Sequence, residues 1–193
     1  MRPGRVAFDV HSESSIALPL ADRDLTIGKS FAYSVARFGP RPAMVYDGRT
    51  WSYDELAAEV EECARSLIAA GVGKGTRVGI LMGSRPEFAV LTYATAMVGG
   101  VCVFISTFST GDELDWILRH SDAALLVMHA AVRSHDVVAE FVARHPAVLD
   151  HARGEIADID LPYLRRVVVV ANSDKPLDPR LETWESFHQG AND

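Results

Sequence analysis

Residues 77–104, RVGILMGSRPEFAVLTYATAMVGGVCVF, constrain the fold of this chain more than any other stretch. Arg77 to Met82 contains an apolar run of strand length. Ser84 is placed to cap a following helix, with Glu87 three residues on. Phe88, Leu91, Ala94 and Val98 then recur at helical spacing until Gly99-Gly100 stops them. Val101 to Phe104 begins a second strand. Strand, helix and strand in so short a span predict a βαβ unit, and a βαβ unit means a parallel sheet. The rival is a membrane span, because Phe88 to Gly111 carries no charge over 24 residues. The glycine pair interrupts that run and hydroxyl residues crowd its end, so a buried helix and strand are expected instead of an integral membrane segment. The N-terminus shows no basic leader followed by an apolar run and cleavage site, so secretion is not expected.

The flanking residues predict more elements of the same kind. Residues 1–24 show no sustained periodicity and read as an N-terminal arm. Phe31, Val35 and Phe38 suggest a helix from Thr26 to Phe38, broken by Pro40 and Pro42. Ala43–Tyr46, Asp47-Gly48 and Arg49–Ser52 predict a tight hairpin. Ser52 and Glu55 form a capping-box pattern ahead of Leu56, Val60, Cys63 and Leu67, a helix that Gly71 closes. Thr110 and Glu113 repeat that pattern ahead of Leu114, Ile117 and Leu118. Ala124–Met128 predicts a strand, and Val132–Val142 a helix with Pro146 just beyond it. His151–Asp160 is polar and irregular. Arg166–Ala171 is the most β-branched run and predicts a buried strand. A short helix around Trp184 and Phe187 and a tail at 191–193 finish the chain. The expected fold class is therefore α/β: a mostly parallel sheet covered by helices, with a small N-terminal hairpin. Strand order does not follow from these periods.

The 193 residues allow one domain with a sizeable core, and a hydrophobic fraction of 48% argues against wholesale disorder. A formal charge of −7 gives no support to nucleic-acid binding. Cys63 and Cys102 both sit in apolar patterns, as reduced core thiols would, which suggests a cytoplasmic location.

The candidate chemistry is sparse. Gly71-Val-Gly-Lys-Gly-Thr76 looks like a phosphate loop, but a helix enters it and a strand leaves it, the reverse of the order that aims backbone N–H groups at phosphate. A helix-ending turn is expected. Ser106–Gly111 follows a strand and is better placed to line a cleft, although it lacks a lysine and Thr110 suits a helix cap. The seven histidines, at 11, 120, 129, 135, 145, 151 and 188, show no metal-binding spacing and read as scattered surface or boundary residues. Glu59, Glu61 and Glu62 read as a solvated helix face, Arg133-Ser134-His135 as polar surface, and Trp51 and Trp116 as packing residues. No nucleophile-elbow motif occurs. These residues alone assign no catalytic, cofactor-binding or metal residue.

The ordered series does resemble a family. Arg41–Leu56 (RPAMVYDGRTWSYDEL), the helix through Leu67, Gly71–Ile80 (GVGKGTRVGI) and Ser84–Phe88 (SRPEF) are similar to the opening of AMP-forming acyl-CoA synthetases. Gly99–Leu114 and Ile117–Ala123 (ILRHSDA) continue the likeness, which covers residues 25–190. It implies the N-terminal part of an AMP-dependent synthetase/ligase domain. The complete family uses ATP, Mg and CoA to turn a carboxylate into an acyl-adenylate and then an acyl-CoA. The phosphate loop ending in Pro-Lys-Gly, the Tyr-Gly-x-Thr-Glu stretch, the ribose-binding aspartate segment and the C-terminal lysine of that family are all absent from this sequence. None of their roles transfers to a residue here. The chain also carries Val103-Phe104-Ile105-Ser106 where the family commonly has Val-Pro-Leu/Ile-Asn/Ser, which frees φ and restores a backbone donor.

The resemblance thus implies a partial acyl-CoA synthetase, inactive alone, with no cofactor expected for the isolated chain. A non-catalytic binding or assembly protein that joins a complementary chain is the alternative, and a self-sufficient enzyme of another type is a third. Surfaces that later sequence covers in the family would be exposed, so a homo-oligomer or a complementary protein partner is expected.

Overall fold

A computed structural model describes residues 26–150, 154–172 and 175–189. The expected arm at 1–24 and tail at 191–193 lie outside them. Helix α1, Ile27–Phe38, is capped by Thr26, whose side chain accepts from the Lys29 amide at 3.2 Å. Strands β1, Pro42–Tyr46, and β2, Arg49–Ser52, form the predicted antiparallel hairpin. Asp47 and Gly48 both have positive φ, 46° and 77°, which gives the turn the twist that hairpin strands need.

Helix α2, Tyr53–Ala69, opens on a complete capping box between Ser52 and Glu55. It closes with Gly71 at φ 80°, whose N–H donates to the Ile68 carbonyl while that of Val72 donates to the Leu67 carbonyl. This paired arrangement satisfies two carbonyls that a helix end otherwise strands, and it packs Val72 against Leu67 in the core.

The central unit follows as β3, Arg77–Leu81, α3, Pro86–Met97, and β4, Val101–Phe104. Ser84 does not cap α3. The N-cap is Arg85, without a side-chain bond, and Pro86 occupies the first helical position, where its fixed φ is favourable and its missing N–H costs nothing. Glu87 pairs with Arg85 instead of closing a box. Then come α4, Gly111–His120, with the predicted Thr110–Glu113 box, and β5, Leu125–His129.

The expected helix over Val132–Val142 begins late. Ala131–Val132 (β6) and His135–Asp136 (β7) form a small hairpin, turned by Arg133 at φ 56°. Asp136 then accepts from the Ala139 amide and starts α5, Val137–Arg144. A short α6, Ala147–Asp150, precedes β8, Arg166–Val170, β9, Glu182–Thr183, and α7, Trp184–Gln189.

Five strands make one parallel sheet in the order β4-β3-β5-β8-β9. Its side chains alternate between two cores. Val78, Ile80, Leu125, Val127, Val168 and Val170 face a cluster with α1, α2, α3 and α7. Leu81, Leu126, Met128, Val167 and Val169 face the opposite cluster, with Leu114, Leu118, Val138 and Phe141 of α4 and α5. Helical cover on both faces explains why these strands read as unbroken apolar runs.

Candidate functional site

From β3 the chain first steps outward to β4, then returns across β3 to lay β5 on its other side. That reversal is the topological switch point, and doubly wound sheets in general place ligands in the crevice beyond the carboxyl ends of the strands there, here β3 and β5. Gly83 leaves β3 there, and its N–H donates to Nδ1 of His129 at the end of β5 over 3.4 Å. An amide can only donate, so Nδ1 holds the lone pair and the proton sits on Nε2. Nε2 is buried and has no hydrogen-bond partner. Burial, and then the nearby Arg85 guanidinium, push the His129 pKa down, in keeping with a neutral ring. Next to it Asn172 clamps Ala131, accepting from its N–H at 2.9 Å and donating to its carbonyl at 2.7 Å.

Ser106–Gly111 leaves β4 on the same side of the sheet. Ser106 Oγ accepts from the Phe108 amide, while the Phe108 ring stands 75% exposed with the Arg133 guanidinium 4.9 Å from its centre. Together with Trp116 and Ile117 of α4 it walls a groove of about 650 Å³. Trp116 is 62% exposed and stacks on His120, so the expectation of a packing residue is corrected for it; Trp51, at 4%, is buried as expected.

The Gly71–Thr76 turn lies at the amino end of β3, across the sheet from the crevice. Thr76 Oγ1 accepts from the Gly73 amide, and the Gly75 amide donates to the Gly99 carbonyl. Its donors brace the α3–β4 corner, as a structural turn would.

The acidic triplet is not simply a solvated face. Glu59 accepts from Trp51 Nε1 at 2.8 Å and from Arg49 at 3.1 Å, and with Glu62 it borders a cleft of about 440 Å³ between the β1–β2 hairpin, α2, α3 and α7. The histidines also need correction. His129 and His145 are buried, and His188 is half-buried with its pKa lowered by that burial. His135 is exposed and pairs with Glu140.

His145 belongs to a polar network that no spacing announced. Its Nε2 lies 2.9 Å from Asp115 Oδ1 and its Nδ1 3.0 Å from Asp158 Oδ2. Arg144 binds the other Asp115 oxygen and also Asp112. Among the described residues no group of three or more His, Cys, Asp or Glu side chains is arranged to hold a metal ion, and no helix is long and apolar enough to cross a membrane. Cys63 and Cys102 are free thiols, and burial pushes both pKa values up.

The strand order and the helices on both faces place the fold in the doubly wound α/β class. Residues 31–186 match the AMP-binding enzyme family, and the chain belongs to it. The acyl-CoA ligase sidI of Aspergillus fumigatus is 30% identical over 116 residues, which cover 59% of this chain and 20% of that protein. Surfactin synthase subunit 2 of Bacillus subtilis is 31% identical over 120 residues, covering 62% of this chain and 3% of the synthase. Coronafacic acid ligase from Pectobacterium brasiliense superposes with a TM-score of 0.68 at 18% identity, over 86% of this chain and 29% of its own. The chain thus spans less than a third of each of these relatives, and within that span it reproduces part of an adenylate-forming fold.

Proposed function

We propose that this chain is the front scaffold of an acyl-CoA ligase, with residues 25–190 as a partial AMP-dependent synthetase/ligase domain, and that alone it forms no acyl-adenylate. The observation that carries this reading is the state of the helix N-termini beside the crevice. A triphosphate needs free backbone N–H groups and a mobile cation. At α4, Glu113 already accepts from the Thr110 amide, and Thr110 from the Glu113 amide. At α3, Pro86 removes one donor and Arg85 is bound through two nitrogens to Glu87. These residues do not fit a triphosphate, so no step of the reaction is assigned to them. In a complete ligase, ATP, Mg and CoA would be held by groups other than these.

The likeness to sidI favours the acyl-CoA branch of the family, and two free thiols fit a cytoplasmic setting. Carboxylate-dependent ATP–pyrophosphate exchange with Mg, tested on the purified chain with short, long and aromatic acids, is expected to stay at background. Exchange that depends on an added acid would overturn the proposal.

A second reading, a non-catalytic assembly protein, draws on Phe104, Phe108 and Trp116, which leave aromatic surface exposed near one margin of the sheet. It predicts saturable binding to a separate chain that carries the missing motifs.

A further inference from the structure

The network around His145 fixes its own charge. Asp158 Oδ1 accepts from the Asp160 and Leu161 amides at 2.8 and 3.2 Å, an arrangement that suits a carboxylate. Asp115 Oδ2 accepts from both Nε and Nη2 of Arg144, so it too is held ionised. The remaining oxygen of each carboxylate faces one ring nitrogen of His145, and carboxylates can only accept. Both ring nitrogens must therefore donate. A proton shared between a carboxyl and an imidazole resides on the imidazole, the stronger base. Were the ring neutral, one of its lone pairs would point at a carboxylate oxygen in a site where the side chain is 2% exposed, and that contact would break. Asp112 and Arg144 complete the charged set, and Phe141 of α5 covers the ring with centroids 4.9 Å apart.

We infer that His145 is a buried imidazolium that latches the 158–161 turn, and through it the entry to β8, onto α4 and α5. Asp115 sits on α4, His145 at the end of α5, and Asp158 in the turn, so a single ring joins three segments distant in sequence. Arg119 on α4 adds a second tie, donating to the Asp160 carbonyl at 3.1 Å. Behind the turn, Leu161 and Leu164 are buried in the core shared with β8. The latch holds while both ring protons are present. A ring lacking either proton would turn a lone pair toward Asp158 or Asp115 and break that contact. The latch lies on the face of the sheet opposite α2 and α3.

Nitrogen-15 NMR of the histidine side chains tests the charge directly. At pH 7 the ring nitrogens of His145, assigned through its own backbone, are expected to have similar shifts and each to carry a proton. A neutral-tautomer pair of widely split shifts in the unmodified chain would overturn the inference without recourse to any variant. In Asp158→Asn the side-chain oxygen still accepts from the turn amides, while its NH₂ now faces Nδ1 and can donate. That ring is expected to become neutral with its proton on Nε2. The Leu161 and Leu164 amides should exchange about tenfold faster, the scale of replacing a hydrogen bond between charged groups by a neutral one. An unchanged ring and unchanged exchange in a folded Asp158→Asn chain would refute the latch.

Discussion

The corner between α3 and β4 offers a sharp test of how tightly this scaffold is packed. A Cβ placed on Gly100 would lie 2.8 Å from Thr95 Cγ2 and 3.2 Å from the carbonyl oxygens of Thr76 and Thr95. Those carbonyls cannot withdraw, because they accept from the Val101 and Gly100 amides at 2.8 and 2.9 Å. Thr95 is fully buried, so its methyl has nowhere to turn. Gly100→Ala should therefore destabilise by about 1–3 kcal/mol, the usual range for overpacking. Thr95→Ser deletes one buried methyl and alone should cost about 0.8 kcal/mol. In the double variant that deletion removes the nearest clash, so the serine should restore stability in place of lowering it. The two changes are expected to couple favourably by about 1 kcal/mol or more, with a residual loss from the two carbonyl contacts. Urea unfolding at 25 °C, with slopes unchanged across the cycle, measures each corner. Additivity within about 0.5 kcal/mol would show that the corner relaxes freely and would refute the steric reasoning.

Three further outcomes are expected. The depressed pKa of His129, caused by burial and Arg85, means that the unfolded chain takes up a proton there before the folded chain does. Its stabilising share is present above the unfolded value, near 6.5, and is lost as pH falls toward the folded one; His129→Gln should flatten that part of the pH–stability curve, and an equally steep curve would contradict it. Thr110→Ala removes the cap of α4 and should cost about 1 kcal/mol in urea unfolding, whereas a change near zero would mean that Glu113 holds the helix end unaided. Replacing the exposed Phe108 and Trp116 by serine should reduce apolar-dye binding with little change in the unfolding midpoint, and unchanged dye binding would place the exposed surface elsewhere.

Elements whose ends carry their own chemistry were legible in the sequence. Ser52 with Glu55, Thr110 with Glu113, and Asp47-Gly48 each encode a local hydrogen-bond pattern or backbone angle, and each is formed. The start of α3 departs from the Ser84 pattern because Pro86, with its fixed φ and missing N–H, is the stronger marker of a first helical position. The hairpin inside Val132–Val142 was hidden because its turn uses Arg133 at positive φ, a residue that does not advertise left-handed backbone. The crevice followed from parallel strands in general, but its place between β3 and β5 depended on strand order, which hydrophobic periods do not encode. His145 was beyond reach for a related reason. Its partners Asp115 and Asp158 lie one in an amphipathic helix and one in an irregular passage, and only the packed fold brings them to the same ring.

Strand order also has a bearing on how the chain is made. The middle strand of the sheet's first three, β3, leaves the ribosome before every other member of the sheet. Its Val78 meets Cys102 on one flank and Leu125 on the other. The first flank closes within a compact local unit, while the second stays bare until α4 has been synthesised and β5 emerges. For that interval a nascent chain shows an apolar ladder to its neighbours on the polysome, and wrong pairing has its opening there.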